Sequence, residues 1–123
     1  MLSASEYIKF IIIYVLIDLI WLLGAKKLHN QQVRMIQNSD LKLNPVGAVG
    51  FYTVAPLGYF IFVKKLAKNK TEAFKYGCLM GLLMYSAFDF TNLAIFKNYQ
   101  LKYATLDMLW GTIAYGTICS IMF

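Results

Sequence analysis

Charge is scarce in this sequence, and negative charge scarcest of all. Only 15% of its 123 residues are charged and only six are acidic, against twelve lysines and arginines; soluble domains carry about 25% charged residues. Histidine occurs once, cysteine twice and proline twice. These shortages close off several classes of protein. One histidine and two cysteines cannot build a metal site of the usual His/Cys type. No H-E-x-x-H, C-x-x-C, G-x-S-x-G or glycine-rich phosphate loop occurs. The sequence offers no nucleophile and base pair, so no catalytic residue, metal ligand or cofactor is assigned from it. Cys78 and Cys119 both lie within apolar runs and read as buried thiols rather than a disulfide.

Apolar residues fill the space that charge leaves: 59% of the chain is hydrophobic and 16% aromatic. A water-soluble fold of this length has too little interior to hide that surface, which makes the bilayer the expected solvent and partner. Four apolar runs, at about 7–24, 45–63, 73–96 and 103–123, each approach the ~20 residues that cross a hydrocarbon core of ~30 Å. Lipid cannot hydrogen-bond a backbone, so each run is expected to be a helix. The expected fold is all-α, an integral membrane four-helix bundle forming one domain over 1–123, with both termini on one side. The first run is expected to be a retained span rather than a cleaved signal, because no basic residue precedes Lys9, Asp18 interrupts the run and no A-x-A site follows.

Local features refine this outline. Pro56 should loosen the second helix near Tyr52, where a backbone bond is lost. Gly77 and Gly81 form a G-x-x-x-G pair that lets another helix approach closely, within the bundle or in a dimer. The stretch 25–44 carries Leu28, Val33, Met35 and Ile36 among polar residues; it reads either as a short helix in the headgroup plane or as an extension of the first helix into water. His29, within it, reads as a solvated loop residue.

The net charge of +6 does not point to nucleic acid. The basic residues fall in short clusters between apolar runs, where loops meet lipid headgroups, and no soluble scaffold carries groove-reading or base-stacking elements. With four spans, one side carries Lys9, Lys64, Lys65, Lys68, Lys70 and Lys75, and the other Lys26, Lys27, Arg34, Lys42, Lys97 and Lys102. The positive-inside count is tied, so neither an orientation nor a particular membrane follows.

Three of the six acids fall inside spans, where a carboxylate costs a few kcal/mol and marks a functional candidate by default. Asp18 lies about six residues before the end of the first run, Asp89 about seven before the end of the third, and Asp107 about four after the start of the fourth. Because the fourth helix runs opposite to the first and third, all three share one depth, roughly 6 to 12 Å beneath the surface carrying the first and third loops. Tyr14, Tyr85 and Tyr103 each precede an acid by four residues and share its helix face. Asp18-Leu-Ile-Trp21 and Asp107-Met-Leu-Trp110 repeat one motif on antiparallel helices, as an inverted repeat or by coincidence. Thr91 and Asn92 extend the polar cluster, and no Lys, Arg or His lies at its depth.

The candidate polar pocket is therefore Asp18, Trp21, Tyr85, Asp89, Asn92, Asp107 and Trp110. Carboxylates so grouped must be protonated, hydrated, bound to a cation, or reached by Lys26, Lys97 or Lys102 snorkelling from the surface. Two classes of function compete. One is a channel-like or transporter-like protein whose pocket takes a cation or proton. The other is a structural or assembly subunit whose polar core only fixes helix packing. An enzyme acting on a lipid-soluble substrate is a third reading. Four helices are few for a self-contained pathway, which leaves room for a homo-oligomer or a larger membrane complex, with the Gly77 and Gly81 face as one contact.

The string Tyr85-Ser-Ala-Phe-Asp89-Phe-Thr91-Asn92-Leu-Ala94, then Lys97, then Asp107-Met-Leu-Trp110-Gly111, with Asp18-Leu-Ile-Trp21 upstream, resembles the small predicted membrane proteins grouped as domain of unknown function 2177. The likeness spans essentially the whole chain. Phe88 and Tyr99 stand where that pattern has a tyrosine and, nearby, a tryptophan. The resemblance implies a four-span membrane protein and no biochemical activity.

Overall fold

The computed structural model describes residues 3–123, which form helices and no strand. Helix α1, Ala4–Gly24, starts at Ser3, whose hydroxyl caps the Glu6 amide. After a break at Ala25 (φ −114°, ψ 28°) the chain turns into α2, Lys26–Gln37, which ends on Asn38 in the left-handed region. The stretch after the first run is thus a separate helix, not an extension of α1.

The second apolar helix covers Pro45–Leu66 in three pieces: α3, Pro45–Val54; a π-helical stretch, Gly58–Val63; and a closing turn, α4, Lys64–Leu66. Asn44 caps its start through Val46, with Pro45 in the first turn, where a missing N–H costs nothing. Pro56 lies between α3 and the π stretch. It removes a donor and widens the helix, and the loosened carbonyls find partners on other helices: the Tyr7 hydroxyl donates to Thr53 O, and the Tyr115 hydroxyl to Ala55 O at 2.5 Å. The expected loosening is present, and it ties this helix to α1 and to the last helix.

Helix α5, Lys70–Ile95, begins with Asn69 accepting from the Glu72 amide at 2.9 Å while the Glu72 carboxylate takes the Lys68 amide at 2.7 Å. Helix α6, Leu101–Met122, closes the chain. Each long helix except the last starts on a polar cap outside the apolar run. Apolar patterning alone therefore starts the first and third helices about three residues late.

The result is an all-α membrane four-helix bundle with α2 folded across one end. Ala4–Gly24, Pro45–Leu66 and Lys70–Ile95 are each long and apolar enough to cross a membrane. Their outward faces are strongly apolar: on α1, Ile8, Ile12, Leu16, Ile20 and Leu23 point away from the core, a stripe at helical spacing that water would not tolerate. Helix α6 sits deepest, burying Ala104, Gly111, Ala114, Tyr115 and Cys119 among others. It reaches α5 through small residues. A Cβ on Gly81 would lie 2.3 Å from the Gly111 carbonyl oxygen, and one on Gly77 would lie 2.8 Å from Gly116 Cα. The G-x-x-x-G face is thus covered by α6 of the same chain and is not a free surface for dimerisation.

The two ends of the bundle differ. At one, Glu6 pairs with Lys64 at 3.2 Å and Lys70 donates to Ser120 O at 2.8 Å, so both chain ends meet the 64–70 turn there. At the other, α2 lies over the connection between α5 and α6: Gln32 donates to Asn98 O and accepts from the Gln100 amide, and Asn98 donates to Met35 O.

Candidate functional site

The three intramembrane acids converge near the α2 end. Asp18 comes from α1, Asp89 from α5 and Asp107 from α6, and all three are buried, Asp89 completely. Their partners come from other segments of the chain. The two D-x-x-W motifs clasp each other reciprocally: Trp110 Nε1 donates to Asp18 Oδ1 at 3.0 Å, and Trp21 Nε1 donates to Asp107 Oδ1 at 3.2 Å. The two indoles stack nearly parallel, centroids 5.6 Å apart at 11°. The repeat seen in the sequence is thus matched by reciprocal geometry.

The remaining donors differ from those the spacing implied. Tyr52, from α3, donates to Asp18 Oδ2 at 2.5 Å, and Tyr99, from the α5–α6 connection, donates to Asp89 Oδ1 at 2.6 Å. The three tyrosines four residues upstream of the acids bond elsewhere. Tyr14 and Tyr85 pair through their hydroxyls at 2.8 Å, and Tyr103 reaches His29 Nδ1 at 2.6 Å. Each phenol shares a helix face with the acid that follows it, but its hydroxyl finds a partner on another helix instead: Tyr14 and Tyr85 across α1 and α5, and Tyr103 at His29 of α2.

His29 is not a solvated loop residue. It is 4% exposed on the inner face of α2, with Nε2 3.2 Å from Trp21 O and its ring edge-on to both Trp21 and Tyr103. The Trp21 carbonyl only accepts, so a neutral imidazole carries its proton on Nε2 and takes the Tyr103 hydroxyl proton on Nδ1. In a helix over 26–37, His29 and Gln32 stand three residues apart on one face, and that shared polar face is the signal in the sequence that marks them as buried together.

A cavity of about 510 Å³ opens beside this network, touched by every long helix, by α2 and by the 38–44 loop. Its polar wall is Asp18, Asp107, His29 and the phenols Tyr52, Tyr85 and Tyr103. Trp21 edges it, and the rest is apolar, with the half-buried Met84 inside and the exposed Leu43, Phe51 and Phe88 toward the mouth. No lysine or arginine lines it. Asp89, Asn92 and Trp110 are not among its lining residues: Asp89 sits sealed behind Asp107, and Asn92 and Trp110 are half-buried. The ion pairs among the described residues are Arg34–Asp40 and Lys64–Glu6, so none of the three acids is paired with a base. Nor, among those residues, do three His, Cys, Asp or Glu side chains converge as a metal site.

Toward the end that carries the termini the bundle is solid. Phe10, Tyr14, Tyr59, Phe60, Tyr115 and Ile118 pack there with almost no exposure, the Phe10 and Tyr14 rings 5.7 and 5.8 Å from that of Tyr115. The cavity therefore ends partway through the bundle.

An apolar exterior, membrane-length helices and a polar centre define an integral membrane protein whose helices face a lipid bilayer. A family model described as "Predicted membrane protein (DUF2177)" matches residues 3–123, and the chain belongs to that family. No curated protein and no solved structure matches it.

Proposed function

We propose that the chain is a multi-pass membrane protein whose working part is the dead-end cavity, and that this cavity binds a cation: a small one, or the cationic head of a ligand with an apolar body. The supporting observation is the sign of the wall. Two carboxylates face the cavity with no lysine or arginine beside them, and the other half of the lining is aliphatic or aromatic. In a low-dielectric setting such a wall favours positive charge and disfavours an anion. A channel-like role fits less well, since the aromatic plug below the acids closes the route. A transporter-like cycle would require that plug to part.

The test is a thermal-shift titration of the protein in nanodiscs with a short alkyl trimethylammonium, the neutral alcohol of equal length and the alkyl sulfate. Only the cation should stabilise the protein, as a ligand that binds the folded state must, and Asp18→Asn together with Asp107→Asn should abolish the shift. Equal shifts from all three amphiphiles, or no shift, would sink the reading. Flux in proteoliposomes then separates a binding protein from a transporter.

A second reading, a structural or assembly subunit, draws on the reciprocal indole–carboxylate bonds, which hold α1 to α6 whether or not anything enters the cavity. It expects the same substitutions to lower thermal stability with no ligand response.

A further inference from the structure

One oxygen in the polar centre has no donor. Asp89 is completely buried; its Oδ1 takes the Tyr99 hydroxyl proton, and its Oδ2 is without a hydrogen-bond partner. The α5–α6 register sets another carboxyl opposite it: Gly77 meets Gly116 and Cys119, Gly81 meets Gly111 and Tyr115, and Tyr85 meets Gly111, so one turn further along each helix Asp89 faces Asp107. Two ionised carboxylates only accept, so they cannot bond each other. They would also place two uncompensated charges together in a buried site. A single proton between them makes one a donor, supplies the orphaned oxygen and removes one of the two charges.

The surroundings agree. The groups that face the pair are Asp18 from α1, His29 from α2, Tyr52 from α3, Tyr85 on α5, Tyr99 from the connection and Tyr103 on α6, with no lysine or arginine among them. The phenols are neutral donors, Asp18 adds negative charge nearby, and both ring nitrogens of His29 are engaged by the Tyr103 hydroxyl and the Trp21 carbonyl, so neither reaches the pair. The proton is what remains to neutralise the pair.

We propose that Asp89 and Asp107 share one proton as a carboxyl–carboxylate pair, with Asp107 the member at the cavity wall and Asp89 the member sealed behind it. The sharing stands without any ligand. If the cavity takes a cation, as proposed above, a positive charge arriving against Asp107 displaces this proton, one for one, so binding releases a proton to the medium.

The experiment is infrared spectroscopy of the protein in nanodiscs at neutral pH, in H₂O and D₂O. One protonated carboxyl stretch is expected, shifted by deuterium, absent from Asp89→Asn and from Asp107→Asn, and retained in Asp18→Asn. Asparagine keeps the volume and supplies a donor where the proton stood. Should either variant fail to fold, carboxyl-¹³C aspartate labelling of the unmodified chain answers the same question: of its four aspartates, Asp40 and Asp18 should give ionised resonances and the pair a protonated one. Four ionised aspartates, or a protonated band lost only in Asp18→Asn, would overturn the proposal. A protonated pair that no cation disturbs upholds the pair and removes the cation reading; cation binding without a protonated pair does the reverse.

Discussion

Tryptophan and aspartate meet twice in this bundle, and each meeting is a hydrogen bond from an indole to a carboxylate that has no basic partner. Inside a membrane such bonds are worth about 0.6 kcal/mol on average, because the separated helices also find partners. Trp110→Phe is expected to cost about 1 kcal/mol, somewhat above that mean, since it also removes indole stacking on Trp21. Trp21→Phe should cost a similar amount, and the double variant less than the sum, since the two rings share one contact. Thermal unfolding in a mild detergent reads all three, and strict additivity would show that the clasp is two separate bonds. Outside the spans, the Arg34 guanidinium beside Asp40, 2.5 Å away, holds the Asp40 carboxyl below the usual carboxylate range. A carboxyl with a lowered folded value stabilises above its unfolded value, ~4, and loses that contribution as pH falls through the lower one. The pair is fully exposed and salt-screened, so the effect is local. Protection of the Leu41 amide, bonded to Asn30 at 3.0 Å in the same loop, should fall on acidification below about pH 4, and Asp40→Asn should remove that dependence.

At the scale of helices, the α5–α6 seam is set by glycine rather than by large apolar side chains. Gly81 approaches the α6 backbone itself, which cannot rotate aside as a side chain can, whereas Gly50 on α3 has open space around it. Gly81→Ala should cost about 1–3 kcal/mol through overpacking. Gly50→Ala should be neutral or stabilising by up to about 1 kcal/mol, since alanine is the better helix former. Denaturation of the two variants side by side checks this, and equal effects would place the close approach elsewhere. The π-helical stretch at Gly58–Val63 belongs to the same scale. Pro56 marks it in the sequence, but the partners of the loosened carbonyls, Tyr7 and Tyr115, lie 46 and 60 residues from their acceptors in the chain.

For the whole molecule, the four long helices alternate in direction and leave residues 5 and 120 near one end and residues 26 and 97 near the other. Single cysteines at these positions, in a chain whose Cys78 and Cys119 have been replaced by serine, should label in two matched pairs from opposite faces of sealed vesicles. Labelling of 5 and 120 from opposite faces would rule out the four-span topology. Orientation itself follows from the same experiment, which the tied lysine and arginine counts could not supply.

Much of this architecture is a one-dimensional matter. The lipid-facing stripes, the four helices, the common depth of Asp18, Asp89 and Asp107 and the repeated D-x-x-W motif are all written in residue type and spacing, because a bilayer imposes one length and one hydrogen-bonding solution on every span. Partners across helices are another matter. That Tyr52 and Tyr99, rather than Tyr14, Tyr85 and Tyr103, donate to acids depends on helix rotation and on which partner each phenol meets on another helix. That His29 is buried depends on α2 folding back over the α5–α6 connection. That Gly77 and Gly81 serve α6 rather than a second chain depends on which face α6 finds. None of these has a signature at short range, since each is a contact between residues far apart in sequence whose meeting is decided only when the helices pack.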